Sequence, residues 1–427
     1  MEKKTSYAIP IVVMILLFGM ISFVTNLASP MGDILKNQFS IPNWQGTLGV
    51  FANFIAYAIM GVPAGNMLGR LGYKRTALIA VTVGFVGVGI QALAGVAASF
   101  GVYLAGAFIA GFSMCLLNTV VNPMLNRLGG GGNKGNQLIQ FGGTFNSLCG
   151  TAVIVITGLL IPQGIKNATI GNAYPLMFAA MAIFALAFVV ILFTRIPEPE
   201  QVAQKDAEPL PLKGLLQYRH FILGALAIFI YVGVEVGTPN ILNKWLQNPD
   251  AGFFPEGVSA EAVAGSVTAF YWLLMLVGRL IGGIVGSKVS PRAMLAAVGM
   301  LAIVLVGVAI FTPASVMVSF PGFNGAQGFG MNLIPLSAAL LVCVGLCTSV
   351  MWGGIFNLAV EGLGRYTEHA SGLFMALVCG GGVLPLLQNG IVDIMGISGY
   401  QASYWVVVAG FAYILFYALW GSKPANK

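Results

Sequence analysis

The sequence predicts an all-α membrane protein of twelve transmembrane helices in two pseudo-symmetric bundles of six. Three observations carry that prediction. Hydrophobic residues fill 58% of the 427 positions and charged residues only 8%, about a third of the roughly 25% found in soluble chains. Lysine and arginine gather in alternate connections. Landmark residues recur six spans apart.

A soluble chain of this size needs a charged surface, and this one has too few charges to cover itself, so its surface must face lipid. A helix needs about 20 apolar residues to cross the hydrocarbon, and twelve such runs follow one another. They lie near 7–29, 44–68, 76–96, 99–124, 138–162, 173–195, 220–246, 259–285, 293–312, 334–361, 371–396 and 401–421. The basic stretch 1–7 leads directly into the first run, which lacks a cleavage site and reads as a helix, not a signal peptide. The longest polar connection, 196–219, contains PEPEQVAQKDAEPLPLK. It divides the chain into an N-terminal bundle (1–195), a cytoplasmic linker (196–219) and a C-terminal bundle (220–427). The segment 313–333 is long but apolar and Gly-rich, and is expected at the membrane surface.

Basic residues favour cytoplasmic connections. With both termini in the cytoplasm, that side holds 16 of the 20 Lys and Arg; Lys36, Lys166 and Lys244 fall on the other side, and Arg279 lies inside span eight. A missed or false span would scramble this alternation. The distribution also accounts for the net charge of +7 without a nucleic-acid partner. The five cysteines (115, 149, 343, 347 and 379) fall in or beside apolar runs without metal-site spacing, and read as small packing residues. The Gly-rich stretch LGGGGNKGN (128–136) lacks the Lys–Ser/Thr ending of a phosphate loop and reads as a cytoplasmic loop. No nucleophile or metal constellation supports an enzyme, since His220 and His369 lie in or beside predicted loops. No cofactor is expected.

The halves match at several places. GNMLGRLGYKR (65–75) follows span two, and GRLIGGIVGSKVSPR (278–292) follows span eight. Asn122 with Gly129 after span four is echoed by Asn357 with Gly364 after span ten. Such internal symmetry suits a rocking carrier with its site near mid-membrane.

The stretch 65–75 resembles the loop 2–3 signature of the major facilitator superfamily: Gly, a variable pair, an acidic position, a basic one, Gly and a basic cluster. Arg70, Gly72, Lys74 and Arg75 fit, and Gly69 stands at the acidic position. The branch of fucose–galactose–glucose:proton symporters usually lacks that acid. NLASPMGDILKNQF (26–39), CLLNTVVNP (115–123), GGTFNSLCG (142–150), YVGVEVG (231–237), VGRLIGG (277–283) and the GGG with a late Asp (380–393) resemble that branch in order. The resemblance implies the major facilitator fold, a multi-pass protein of a bacterial inner membrane, a monomer, and proton-driven import of a monosaccharide such as glucose, galactose, fucose or an amino sugar. Two positions depart from the branch. Asn118 stands where the span-four signature usually carries a Glu implicated in sugar binding and proton coupling, and Gly143 stands where Gln usually precedes TFNS.

Ionisable groups in hydrocarbon cost about 2.5–3.5 kcal/mol each on insertion scales, so each needs a reason. Asp33 in span one and Glu235 in span seven occupy corresponding spans, and both are candidates for proton coupling. A carboxyl group in an apolar cavity can bind and release a proton near neutral pH. The bland alternatives are a helix-end residue in water for Asp33 and a structural partner for Glu235. Arg279 reads as a structural or gating residue that snorkels or pairs with an acid. Glu361 and Asp393 read as interfacial structure or gate, Asp393 toward the cytoplasmic loops; Arg70, Lys74 and Arg75 join them as gating residues. Sugar binding needs convergent amides and aromatic surfaces. The amide candidates are Asn26, Asn118, Asn122, Gln140, Asn146, Asn240, Asn357, Gln388 and Asn389; the aromatic ones are Tyr231, Trp272 and Trp352. Asn118 and Asn122 share a helix face, as do Tyr231 and Glu235. Each Asn is equally well read as interhelical glue. Trp44, Trp245 and Trp405 read as interfacial belt residues. Sodium in place of the proton, or another polar solute in place of a sugar, stays open.

Overall fold

The computed structural model describes residues 7–39, 48–160, 169–198, 212–255, 257–324 and 328–424. Its helices are α1 Ala8–Phe39, α2 Leu48–Val96, α3 Phe100–Leu128, α4 Gly132–Leu160, α5 Ile170–Phe193, α6 Arg219–Gln247, α7 Ala260–Val285, α8 Pro291–Phe311, α9 Leu336–Thr348, α10 Met351–Ala359, α11 Thr367–Ala376, α12 Gly380–Met395, α13 Ile397–Ala402 and α14 Tyr404–Phe416. Among the described residues, ten helical stretches are long and apolar enough to cross a membrane. The longest of them, Phe51–Val96, carries two of the expected spans, and α4 carries the fifth. Among the described residues, each of the twelve expected spans is mostly helical.

The packing divides the chain into two units. One holds Met1–Tyr218 with Val360–Val378; the other holds Arg219–Ala359 with Cys379–Lys427. Within the first unit, α2 replaces an expected loop by a single-residue break. Gly72 has φ 83° and ψ 175°, a region open essentially only to glycine. The new leg starts with its free backbone amides held by one carboxylate: Glu198 accepts from Tyr73 N and Lys74 N, both at 2.8 Å. An acid at a helix start meets both the orphan N–H groups and the positive end of the helix dipole. Close backbone approach joins α2 to α3, where a Cβ on Gly87 would lie 2.6 Å from the Ala110 amide nitrogen. Small residues at such crossings are the usual means of packing helices in lipid.

In the second unit, Ser259 and Ser290 cap α7 and α8 by accepting from Ala262 N and Ala293 N, each at 3.2 Å. Pro291 occupies the first turn of α8, where its missing N–H costs nothing. The expected surface loop 313–333 is largely a β-hairpin. β1, Met317–Phe323, pairs antiparallel with β2, Phe329–Pro335, in the register Met317↔Pro335 to Phe323↔Phe329. Asn332 Nδ2 donates to the Gly322 carbonyl at 3.0 Å, and Phe320 stacks edge-on against Phe270 of α7. The hairpin leaves Phe329, Met331 and Leu333 exposed. Two helical runs also break within their spans: α9 gives way to α10 at Ser349–Val350, and α11 to α12 through the short turn Leu377–Cys379.

Two expected belt tryptophans part ways. Trp245 is 1% exposed and meets Phe253 edge-on, so the belt reading is wrong there: its ring packs inside the unit instead. Trp405 is half exposed beside Phe311. Trp44 lies outside the described residues.

Candidate functional site

Each unit has its own buried polar centre. In the second, α6 supplies Tyr231 and Glu235 one turn apart, hence on one face. Arg279 of α7 donates through Nη2 to Glu235 Oε1 at 3.2 Å, and both side chains are 13% exposed. Arg279 Nε also reaches the Ser349 carbonyl at 3.4 Å, at the break between α9 and α10. The break therefore positions the guanidinium, since a continuous helix would bond that carbonyl internally. Tyr271 donates to the backbone carbonyl of Glu235 at 3.2 Å and lies 3.1 Å from the Thr348 hydroxyl. The Tyr231 hydroxyl is buried without a hydrogen-bond partner among the described residues, and its ring sits 6.4 Å from that of Trp352 at 57°. The result is an ion pair with the Tyr271 hydroxyl on the backbone of its acid and Tyr231 one turn away on the same helix.

The chemistry of that arrangement is specific. A buried carboxylate and guanidinium stabilise one another against the loss of water. A proton on Glu235 would cancel its charge and weaken its contact with Arg279, which keeps its bond to the Ser349 carbonyl. Arg279 Nη2 and Glu235 Oε1 share a charge-assisted contact of 3.2 Å, with which an arriving proton competes.

In the first unit the amide-rich centre around Asn118 is neutral, although the unit also holds an ionic contact between Arg127 and Glu368 at 3.4 Å. Asn118 donates to the Tyr57 hydroxyl at 2.6 Å and to the Met114 carbonyl at 3.2 Å. Asn122 donates to the Asn118 carbonyl at 2.9 Å. Both amides are buried, as is Gln140, whose Nε2 lies 3.5 Å from Asn136 Oδ1. Asn26 donates to Ser22 O and Oγ at 2.8 and 3.0 Å and faces Gly150. Asn146 donates to the Phe18 carbonyl at 2.7 Å, tying α4 to α1 as interhelical glue. Asp33 falls within α1, and its side chain lies outside the described residues.

The remaining candidates scatter. Asn357 is buried in α10. Gln388 of α12 is 1% exposed, reaches the Ser403 carbonyl at 3.5 Å and fills the space that Gly237 leaves on α6. Asn389 donates to the Pro385 carbonyl at 2.6 Å and accepts from Lys244 Nζ at 2.7 Å. Asn240 is exposed. Trp272 is 40% exposed, edge-on to Tyr271. Among the basic candidates, Lys74 Nζ donates to the Leu192 and Thr194 carbonyls at 2.8 and 3.0 Å, while Arg70, Arg75 and Glu361 are exposed. Asp393 of α12 acts electrostatically on Lys244 of α6.

Sequence reasoning missed Tyr57, Tyr271, Thr348 and Glu368. Nothing in the sequence pairs a tyrosine on one span with an amide on another. Glu368 was hidden by starting span eleven one turn too late.

Comparison with known proteins places this geometry in a family context. The family model described as Major Facilitator Superfamily matches residues 11–386. The glucose/galactose transporter of Brucella abortus is 29% identical over 99% of this chain and 96% of its own length. The L-fucose-proton symporter of Escherichia coli is 23% identical over 100% of this chain and 96% of its own. Among solved structures, the transporter FucP superposes with a TM-score of 0.81 at 21% identity, covering 98% of this chain and 99% of that one.

Proposed function

The chain belongs to the Major Facilitator Superfamily, a family of membrane transporters, and from that premise we propose that it imports a monosaccharide by proton symport with alternating access. The full-length likeness to carriers named for glucose, galactose and fucose carries this reading. The Glu235–Arg279 pair supports the proton part, because an acid that alternates between a proton and a guanidinium is what such coupling requires. Asp33 is the second proposed proton site. Asn118, Asn122 and Gln140, with the aromatic surfaces of Tyr231 and Trp352, are the proposed sugar contacts; the other amides named from the sequence are secondary ones.

The remaining architecture follows from the charge count. We infer two functional halves, 1–195 and 220–427, joined by the linker 196–219, with both termini cytoplasmic, in the inner membrane of a bacterium. The carrier works as a monomer without a cofactor.

Uptake of labelled glucose, galactose and fucose into proteoliposomes tests the proposal. An imposed inward proton gradient drives accumulation, and an uncoupler collapses it. Accumulation driven by sodium and indifferent to the uncoupler would move the coupling to that ion. A second reading, a carrier of another polar solute, draws on Asn118 standing where related signatures carry Glu. A thermal-shift screen of sugars against non-sugar solutes separates the two.

A further inference from the structure

We propose that Glu368 supplies, from α11, the acid that the signature 65–75 lacks at Gly69, and that His369 is keyed into the space Gly69 leaves. The argument does not depend on which solute is carried.

α2 presents Gly61, Gly65 and Gly69 four residues apart, on one face. α11 lies directly against that face. A Cβ on Gly61 would stand 2.5 Å from the Ala376 amide nitrogen, and one on Gly65 would stand 3.0 Å from Gly372 Cα. The third glycine meets a side chain instead of backbone. A Cβ on Gly69 would lie 2.7 Å from Cε1 of the His369 ring. As the two helices pack, a side chain at 69 forces the imidazole at 369 out of its seat.

The displaced negative charge sits one residue earlier on α11. Glu368 is 3% exposed. Its Oε1 accepts from the Tyr73 hydroxyl at 3.2 Å and from Arg127 Nη1 at 3.4 Å. Tyr73 is itself fully buried and opens the leg of α2 that follows Gly72. Ser371, one turn further on, donates to the Thr119 carbonyl at 3.1 Å. Glu368 therefore ties α11 to the second leg of α2 through Tyr73 and to α3 through Arg127, while Glu198 accepts from backbone amides at the same break.

The placement gives this contact a consequence. The stretch Gly364–Met395 is one candidate span, yet its first half packs in the first unit and its second half in the other. Glu368 and His369 latch that first half to its own unit.

The test exploits the exclusion between positions 69 and 369, using the purified full-length protein. Unfolding midpoint by tryptophan fluorescence and sugar counterflow in proteoliposomes are the readouts. Glu368→Gln is expected to lower the midpoint by about 5 °C or more and to slow counterflow at least about fivefold. Gly69→Asp alone is expected to destabilise to a similar degree, because the new side chain meets the imidazole. Gly69→Asp combined with His369→Ala is expected to unfold near the parent. Adding that pair to Glu368→Gln is expected to restore at least half of the lost midpoint, because the acid has returned to the same corner. The proposal is overturned if Gly69→Asp is tolerated beside an intact His369. It is equally overturned if the triple variant is no more stable than Glu368→Gln, or if Glu368→Gln itself changes nothing.

Discussion

Two centres, Asn118 with Asn122 in the first unit and Glu235 with Arg279 in the second, hold polar groups inside apolar helices by different means. Among the described residues, the centre of the first is built from amides and hydroxyls: Asn118, Asn122 and Tyr57 bond to one another and to backbone. The centre of the second is ionic, Glu235 against Arg279, with Tyr271 and Tyr231 around it. Amides keep their hydrogen-bonding character at any physiological pH and are suited to reading hydroxyl groups. An acid with a cationic partner changes charge when a proton arrives. The difference supports the proposed division of labour, in which the Asn118 and Asn122 amides read solute hydroxyls and the Glu235–Arg279 pair carries ion coupling.

The largest expected effect breaks the ionic side. Glu235→Gln keeps the shape and removes the titration, so gradient-driven uptake falls to background while counterflow exchange persists. Parallel loss of both in transport assays would assign Glu235 to solute binding instead.

Next comes the pair itself. Arg279→Leu leaves an uncompensated buried carboxylate and is expected to cost about 3–5 kcal/mol, whereas the double variant Glu235→Gln, Arg279→Leu loses much less. Chemical unfolding of the four members of that cycle measures the coupling directly. Additive losses would mean that the 3.2 Å contact contributes nothing to stability.

The neutral centre responds on a smaller scale. Asn118→Leu strands the Tyr57 hydroxyl, a loss of about 1–3 kcal/mol. The expected result is an apparent sugar affinity weakened by roughly one order of magnitude or more at unchanged proton stoichiometry. A changed stoichiometry would move coupling into the first unit. Asn240→Ala, at an exposed position on the same helix as Glu235, is the control. Its effect on stability is expected within about 0.5 kcal/mol, and larger losses would extend the functional surface beyond the two centres.

Much of the architecture was legible because hydropathy and basic residues report it residue by residue. The pairing of Glu235 with Arg279 was half legible. Each was conspicuous as a charge in an apolar run, but the sequence carries no sign that residues 44 positions apart on neighbouring helices touch. The hairpin was illegible for a clear reason. Pro321 and Gly322 inside β1 argue against a strand, and pairing with Met331 and Gly330 overrides that preference. The latch at Glu368 was missed because GLGRYTEHA reads as a polar connection, whereas α11 buries that glutamate in its first turn. Trp245 failed as a belt residue because position near a span end does not reveal that Phe253 folds back over the ring.

The division of labour is tested most directly by the electrical current on sugar addition to proteoliposomes adsorbed on a solid-supported membrane, without an imposed gradient. The parent protein is expected to carry an inward positive current at saturating sugar. Asn118→Leu is expected to carry that current too, shifted to higher sugar concentration, and Glu235→Gln to carry none. A sustained current in Glu235→Gln, or its loss in Asn118→Leu at saturating sugar, would contradict the account.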